Sequence, residues 1–283
     1  MMAKLFLGIL GLAAAPFIGG LIAGLDRVLT ARMQSRFGPP VLQPFYDVFK
    51  LFGKAPSAVN AWLILCSYLT LMSSALAVFL FFFQADLLLI FFVMIIGAVF
   101  QVMGALSVNS PFSQVGAQRE LLQMLTYETL IIMVIVGIAL KTGSFSITAI
   151  YALDTPLLFS APGLFLALGV ALTIKLRKSP FDISASHHGH QEIVRGVLTE
   201  YTGPQLAMLE IAHWLNVVLI LGFCSLFWAT GWVGMLLLLV ITYFAEVFVD
   251  NITSRMTWQW MLTRVLAPTM LLCIVNILWL YAL

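Results

Sequence analysis

The stretch LLLIFFVMIIGAVF, residues 87–100, is apolar at every position. A membrane-crossing β-strand would alternate apolar and polar side chains over about ten residues. A helix, in contrast, needs about twenty predominantly apolar residues to cross a hydrocarbon core of about 30 Å. The stretch is therefore predicted to belong to a transmembrane helix.

The same kind of run recurs along the whole chain. Of its 283 residues 62% are hydrophobic and 9% are charged, which excludes a soluble globule with a polar exterior. Because the first run continues into Asp26 and Arg27 without a small-residue cleavage site, we interpret it as a span rather than a secretory signal. We predict an all-α, polytopic membrane protein with one domain, residues 1–283, and about eight transmembrane helices. The predicted spans lie near residues 4–25, 61–83, 87–108, 121–140, 160–176, 205–229, 232–249 and 261–282.

The basic residues predict the orientation. When the segments between spans are assigned alternately to two sides, one side receives eleven of the fourteen Lys and Arg residues. Cytoplasmic segments carry the excess of cations, so both termini are predicted to lie outside. These eleven residues are Arg27, Arg32, Arg36, Lys50, Lys54, Arg119, Lys175, Arg177, Lys178, Arg195 and Arg255.

The most polar segment runs from Lys175 to Gly203, between two hydrophobic runs. It holds four basic residues, three of the four histidines and three of the twelve carboxylates. Because an unpaired charge in hydrocarbon is costly, such a cluster indicates a water-filled cavity or a surface that binds a soluble partner.

Two other cytoplasmic segments have distinct patterns. After the helix breakers Gly38, Pro39 and Pro40, a helix is predicted to begin at Pro44 and to place several aromatic residues on one face. This helix lies either in the membrane interface or against the protein's own bundle. Residues 107–120, rich in Ser, Asn and Gln, are predicted to be a loop that either forms the floor of a cavity or satisfies its own backbone.

Several acids fall inside the predicted spans. Glu128 lies in the fourth span, where a carboxylate near the helix centre costs about 2.5 to 3.5 kcal/mol. Glu210 and His213 are three residues apart and Glu246 and Asp250 four apart, so each pair shares a helix face. Such groups suit a path along which protons are accepted and released. The alternative is that some of them form static salt bridges between helices.

Metal and cofactor sites find little support in the sequence. His187, His188 and His190 could hold a transition metal only if further ligands joined them, and a proton-handling or structural role is the preferred interpretation. Cys66, Cys224 and Cys273 lie in separate spans and are predicted to be packing residues. No nucleotide-binding fingerprint is present. We expect neither a catalytic residue nor a resident metal in this chain, so any redox cofactor would belong to other subunits.

Three segments carry a family resemblance. They are LDRVLTARMQSRFGPPVLQPFYDVFKLFGK (25–54), SVNSPFSQVGAQRELLQMLTYE (107–128), and SPFD (179–182) followed by QEIVRGVLTEYTGPQLAMLEIAHW (191–214). They resemble the complex I membrane subunit that builds the heel of the membrane arm and most of the quinone chamber. SASHHGHQEIVRGVLTEYTGP (184–204) is most similar to the large membrane subunit of the group 4 energy-converting nickel-iron hydrogenases.

The resemblance implies roles for individual positions. Arg36, Gly38 and Pro39 match residues beside the chamber, Arg119 matches the arginine before the fourth span, and Glu128 matches the glutamate within that span. Glu192, Glu200 and Glu210 match successive glutamates of a channel from the chamber to the membrane interior. The resulting proton or ion path is Glu128, Glu192, Glu200, Glu210, His213, Glu246 and Asp250. The predicted chamber and docking surface is Asp26, Arg27, Arg36, Gly38, Pro39, Arg119, Asp182, His187, His188, His190 and Arg195.

The chain departs from the family pattern at two places, and the first of them favours the hydrogenase branch. Ser184 to His190 replace an acid-rich stretch typical of quinone-reducing members, and Asp26 stands where a glutamate is usual. The implied protein is the membrane core of an ion-translocating hydrogenase in the plasma membrane of a prokaryote. Its implied partners are nickel-iron hydrogenase large and small subunits, a ferredoxin-like iron-sulfur subunit and an antiporter-like membrane subunit, with the nickel-iron site and iron-sulfur clusters in those partners. The alternatives are a subunit of quinone-reducing complex I or of formate hydrogenlyase, and a free-standing secondary transporter.

Overall fold

The prediction of an all-α membrane protein is confirmed by a computed structural model, which describes residues 2–55, 60–181, 184 and 195–282. Seven helices in this part of the chain are long and apolar enough to cross a membrane. They are α1 (Met2–Met33), α3 (Ala61–Phe82), α4 (Leu87–Leu106), α5 (Pro111–Thr142), α9 (Gly203–Ser225), α10 (Trp232–Ile252) and the last span (Trp258–Ala282).

Shorter helices connect these spans. They are α2 (Gln43–Phe52), α6 (Ile147–Tyr151), α7 (Leu157–Ser160) and the apolar α8 (Pro162–Lys175), which occupies the position of one of the eight predicted spans with 14 residues. A 3-10 segment (Gly196–Leu198) precedes α9, and another (Leu226–Trp228) extends it. The last span consists of α11 (Trp258–Trp260), a π-helical segment (Met261–Leu266) and α12 (Ala267–Ala282).

The start of α5 corrects one prediction. Residues 111–120 are not loop but the first turns of a helix of 32 residues. Pro111 stands at the first helical position, where its fixed φ favours a helix start. One of the polar side chains of this stretch, Ser113, is buried, and its hydroxyl donates to the Ala105 carbonyl oxygen at 2.9 Å. Similarly, α1 extends to Met33, so Asp26 and Arg27 are helical rather than part of a loop.

The largest core cluster is centred on α5, α8 and α9, with fully buried residues such as Leu130, Leu164 and Ile220. Small residues allow close approach between helices. A Cβ on Gly137 would lie 2.1 Å from Leu164 Cδ1, and one on Gly19 would lie 2.7 Å from the Trp214 carbonyl oxygen. The described helices thus pack closely around α9, which borders the cavities described below.

The α2 helix packs against the bundle on one face and has exposed aromatic side chains on another. Val48 is buried beside Trp214, and Phe45 meets the Trp214 ring edge to face at 5.3 Å. Phe49 and Tyr46 on the same helix remain 71% and 59% exposed. The helix therefore packs against α9 on one face and presents an aromatic face outward.

Candidate functional site

A cavity of about 460 Å³ opens where α1, the segment after it, α9 and α10 meet the end of α8. Its wall is rich in charge. The cations are Arg27, Arg36, Arg177, Lys178 and Arg195, and the acids are Asp26, Glu210 and Asp250, with His213 beside them. Cations outnumber acids, so the cavity favours an anionic or electron-rich occupant.

Salt bridges join α1 and α9 to the polar segment that follows α8. Lys178 Nζ lies 2.5 Å from Asp26 Oδ1 and 5.3 Å from the Tyr243 ring centroid. Arg195 Nη2 lies 3.4 Å from Glu210 Oε1, and both side chains are partly exposed. Four of the charged groups that line the cavity are therefore held in two ion pairs, and either ion can exchange its partner for another charge at the cavity.

A third pair fixes α2 beside the cavity. Arg27 Nη1 donates to Asp47 Oδ2 at 2.8 Å, and Gln43 Nε2 donates to the other carboxylate oxygen at 3.0 Å. Partial burial acts to raise the pKa of Asp47, but these hydrogen bonds outweigh it and hold the pKa below its ordinary value.

A smaller cavity of about 40 Å³, enough for about one to three water molecules, continues toward α3, α4 and α5. Arg177, Glu210 and His213 line both cavities. The smaller cavity also has Glu120, Tyr127, Lys175, Gln101 and Asn216 on its wall. The three shared side chains are therefore the boundary between an open chamber and the interior of the bundle.

Glu120 is the most highly connected acid of the smaller cavity. Its side chain is 10% exposed, with Arg177 Nη2 at 3.7 Å from Oε1, while Oε2 accepts a hydrogen bond from Ser184. Ser184 Oγ also lies 2.6 Å from Gln123 Oε1, and Gln123 Nε2 donates to the Phe181 carbonyl oxygen. Glu120 thereby ties α5 to Arg177 and Ser184, two points of the polar segment that follows α8.

Arg177 reaches this acid from an unusual backbone conformation. Its φ is 53°, in the left-handed region that non-glycine residues seldom occupy. Its amide donates to the Ile174 carbonyl oxygen at 3.0 Å and ends α8. Such strain persists only where the surroundings stabilise it, and it clusters at functional sites.

Beyond Glu120 the charged groups continue deeper into α5. The Lys175 ammonium lies 4.5 Å from the Tyr127 ring centroid and interacts electrostatically with Glu120 and Glu128. Glu128 Oε1 is buried, and no hydrogen-bond partner reaches it among the described residues. Since buried polar atoms are nearly always paired, this oxygen is suited to a proton or a transient ion.

The two acids of α10 have structural partners. Glu246 Oε2 accepts a hydrogen bond of 2.7 Å from Thr173 of α8. Asp250 Oδ1 accepts one of 2.8 Å from the Ser179 amide, and it also lines the larger cavity.

The residues predicted from sequence divide into three groups. The larger cavity brings together Asp26, Arg27, Arg36, Gly38, Pro39, Arg195, Glu210, His213 and Asp250. Arg119, Glu128, Glu200 and Glu246 line neither cavity. Asp182, His187, His188, His190 and Glu192 lie outside the described residues. The roles of all these residues stay predictions.

The sequence analysis missed Glu120, Arg177 and Lys178 as site residues. Glu120 was assigned to a loop because the start of α5 was placed too late. It stands seven residues before Tyr127, which puts both on one helix face. A helix starting at Pro111 would have revealed this pairing.

Within the described residues, no group of three or more His, Cys, Asp or Glu side chains is arranged to hold a metal ion. Cys66, Cys224 and Cys273 are buried and free. Tyr201 is buried beside Cys66, and this burial raises the pKa of its phenol, which donates to the Gln101 carbonyl oxygen at 3.4 Å.

Residues 6–281 match the family model described as NADH dehydrogenase. The chain belongs to the NADH dehydrogenase family. Within it, the chain is 32% identical to hydrogenase-4 component C of Escherichia coli over 208 residues, a match that covers 67% of this chain but 64%, under two thirds, of that protein. It is 28% identical to a subunit of NADH-quinone oxidoreductase from Rubrobacter xylanophilus, with 76% of this chain and 71% of the relative covered.

A solved structure shares the fold of this chain. The structure of the membrane-bound sulfane sulfur reductase, an archaeal respiratory membrane complex, contains a chain that matches with a TM-score of 0.88 at 23% identity, covering 98% of this chain and 99% of the other. These similar proteins are subunits of multi-subunit membrane complexes. Like them, this chain is a multi-span membrane subunit related to complex I.

Proposed function

We propose that this chain is the membrane core subunit of an ion-translocating, energy-converting hydrogenase in a prokaryotic plasma membrane. It anchors an arm that carries the nickel-iron site and the iron-sulfur clusters. It couples ferredoxin-linked hydrogen formation or uptake to the movement of protons or sodium ions. The partners would be the hydrogenase large and small subunits, a ferredoxin-like subunit and an antiporter-like membrane subunit.

The observation that carries the proposal is the boundary shared by the two cavities. Glu210, His213 and Arg177 face the open chamber on one side and the interior of the bundle on the other. A change of charge in the chamber therefore acts on groups that also border the inner cavity, through a medium of low dielectric where electrostatic effects are strong.

The side chains suggest how coupling proceeds. When the arm alters the charge beside the chamber, Arg195 exchanges its contact with Glu210, and the freed carboxylate takes up a proton or an ion. His213, on the same face of α9, and Arg177 transmit the change in charge at Glu210 to Glu120. Lys175 interacts electrostatically with both Glu120 and Glu128, and it transmits the effect to Glu128. Glu128 Oε1 has no hydrogen-bond partner among the described residues. No electron passes through this chain in the scheme.

The similarity to hydrogenase-4 component C supports the hydrogenase assignment. The similarity to an NADH-quinone oxidoreductase, together with a cavity of about 460 Å³, supports a second candidate, a quinone-reducing complex.

A quinone-site inhibitor separates the two candidates, since it leaves ion coupling unchanged in a hydrogenase and abolishes it in a quinone-reducing complex. A formate hydrogenlyase would be recognised by a formate dehydrogenase among the copurifying subunits. A free-standing secondary transporter would purify without iron-sulfur proteins.

Glu210→Gln in the intact complex tests the coupling role. In sealed inverted vesicles we expect proton or sodium uptake per hydrogen formed to fall about ten-fold or more, because a glutamine cannot accept the charge or the proton. Hydrogen formation from a reduced artificial dye should stay within about two-fold, since the arm's chemistry is untouched.

Asp154→Asn is the matched control, because this exposed acid lies between α6 and α7, near the start of α8, whereas the cavities lie at the other end of α8. Copurification of the arm with both variants establishes that docking is intact. If Glu210→Gln pumps as well per hydrogen as the control, the proposed coupling is refuted.

A further inference from the structure

The last span carries a charge that the rest of the described protein does not neutralise. Arg264 is the single Lys, Arg, Asp or Glu residue between Trp258 and Ala282. It is exposed, and its guanidinium lies 5.2 Å from the Trp260 ring centroid. No carboxylate in the described part of the chain lies within salt-bridge distance of it. A cation on a membrane helix needs a counter-charge or access to the aqueous interface.

The depth of Arg264 fits the headgroup layer. The last span has 25 residues and is about 37 Å long as a helix, which exceeds a hydrocarbon core of about 30 Å. Arg264 lies six residues after Trp258, about 9 Å from the start of the span. Its long side chain can therefore reach the lipid headgroups. Trp258 and Trp260, 40% and 56% exposed, are the aromatic residues typical of that level.

The helix below Arg264 offers a surface for an acyl chain. Leu271 and Leu278 follow it at intervals of seven residues and are 64% and 62% exposed. Val275, between them, is 58% exposed. Spacing of this kind places a guanidinium above a continuous apolar stripe on one helix face.

The opposite face of this helix is already used by the protein. Leu262, Leu266, Met270 and Ile277 pack against the core cluster, and Asn276 Oδ1 accepts a hydrogen bond of 3.2 Å from the Leu164 amide of α8. The span is therefore held in place with its charged stripe outward. The π-helical segment Met261–Leu266 contains Arg264, and such segments occur frequently at functional sites.

We propose that Arg264, with Trp260 and the stripe Leu271–Val275–Leu278, is a binding site for an acidic phospholipid. The guanidinium and the tryptophan hold the phosphate, and one acyl chain lies along the stripe. The phosphate neutralises Arg264 at the end of the bundle where the larger cavity lies, since the amide of Met256, just before the span, donates to the Pro180 carbonyl oxygen at 3.0 Å.

The site is tested on the delipidated complex that contains this chain. Phosphatidylglycerol is added, and the lipid retained is counted by native mass spectrometry, with phosphatidylcholine and inorganic phosphate in parallel. We expect wild type to retain phosphatidylglycerol in preference to phosphatidylcholine, and inorganic phosphate not to compete. Arg264→Gln should weaken phosphatidylglycerol retention about five-fold, whereas Arg264→Lys, which keeps the charge, should lose less.

Lys141→Gln is the control, since it removes an exposed cation at the C-terminal end of α5, away from this stripe. Equal retention by wild type and Arg264→Gln would overturn the proposal, and so would competition by inorganic phosphate. The proposal is also overturned if Arg264→Gln keeps its lipid but loses another subunit of the complex, because the partner of Arg264 would then be a protein carboxylate.

Discussion

Gly24 packs directly against the backbone at Val41, close to the larger cavity, which makes Gly24→Ala a quantitative test of the structure. A Cβ on Gly24 would lie 1.8 Å from the Val41 carbonyl oxygen and 2.8 Å from its carbonyl carbon. Real Cβ contacts are essentially never shorter than 3.0 Å, so the backbone at Val41 must move by at least 1.2 Å, the difference between 3.0 and 1.8 Å. Because the obstacle is backbone, no rotamer change relieves it, and overpacking of this kind costs about 1 to 3 kcal/mol.

This cost is measurable as the inactivation half-life of the solubilised complex at a fixed temperature. If the full cost falls on the unfolding barrier, the half-life shortens between about five-fold and a little over one hundred-fold. Ion coupling should fall as well, because Gly38 and Pro39 in the displaced segment line the cavity. Gly53→Ala is the control, since its nearest neighbours would be 3.6 Å and 3.8 Å away. Equal half-lives for the two variants would contradict the packing described here.

Two further predictions concern single hydrogen-bonding groups. Thr173→Val removes the hydroxyl that donates to Glu246 at 2.7 Å and leaves a buried carboxylate oxygen without its donor, so we expect about 1 to 3 kcal/mol of destabilisation. Thr173→Ser, which keeps the hydroxyl, should largely restore the inactivation half-life of the complex. Wild-type stability in the valine variant would refute the role of this hydrogen bond. The folded-state pKa of Asp47 lies below its ordinary value of 3.8, so its contribution to stability is present above that value and is lost as pH falls through the folded pKa. Protease accessibility of α2 should rise in this acid range for wild type but be independent of pH there for Asp47→Asn, and identical acid profiles would refute the assignment.

Much of the fold follows from the sequence because hydrocarbon allows few solutions. With no water to satisfy the backbone, a run such as residues 87–100 must be helical. The boundaries are harder, as α5 demonstrates. In its first turns Ser113 and Gly116 pack against Ala105 and the segment Gly196–Leu198, so these positions lack the long apolar side chains of a span. Hydropathy alone therefore placed the start of α5 ten residues too late, although Pro111 marked it.

The site was predictable where its residues share one helix and not where they meet across helices. Glu210 and His213 are three apart, and their common face could be deduced from this spacing alone. The Arg177–Glu120 pair joins two distant segments, and its geometry depends on the left-handed backbone at Arg177. Local sequence has no signal for such a conformation at an arginine, since glycine is the residue that normally adopts it.

The attachment of α10 to α8 has a mechanical consequence. Glu246 and Asp250 lie one helical turn apart, and they accept hydrogen bonds from two different groups, the Thr173 hydroxyl and the Ser179 amide. Rotation of α10 about its axis would break both bonds at once, and sliding by one residue would misalign both. Any movement of α10 that changes the width of the chamber therefore has to carry Thr173 and Ser179, and the end of α8 between them, along with it.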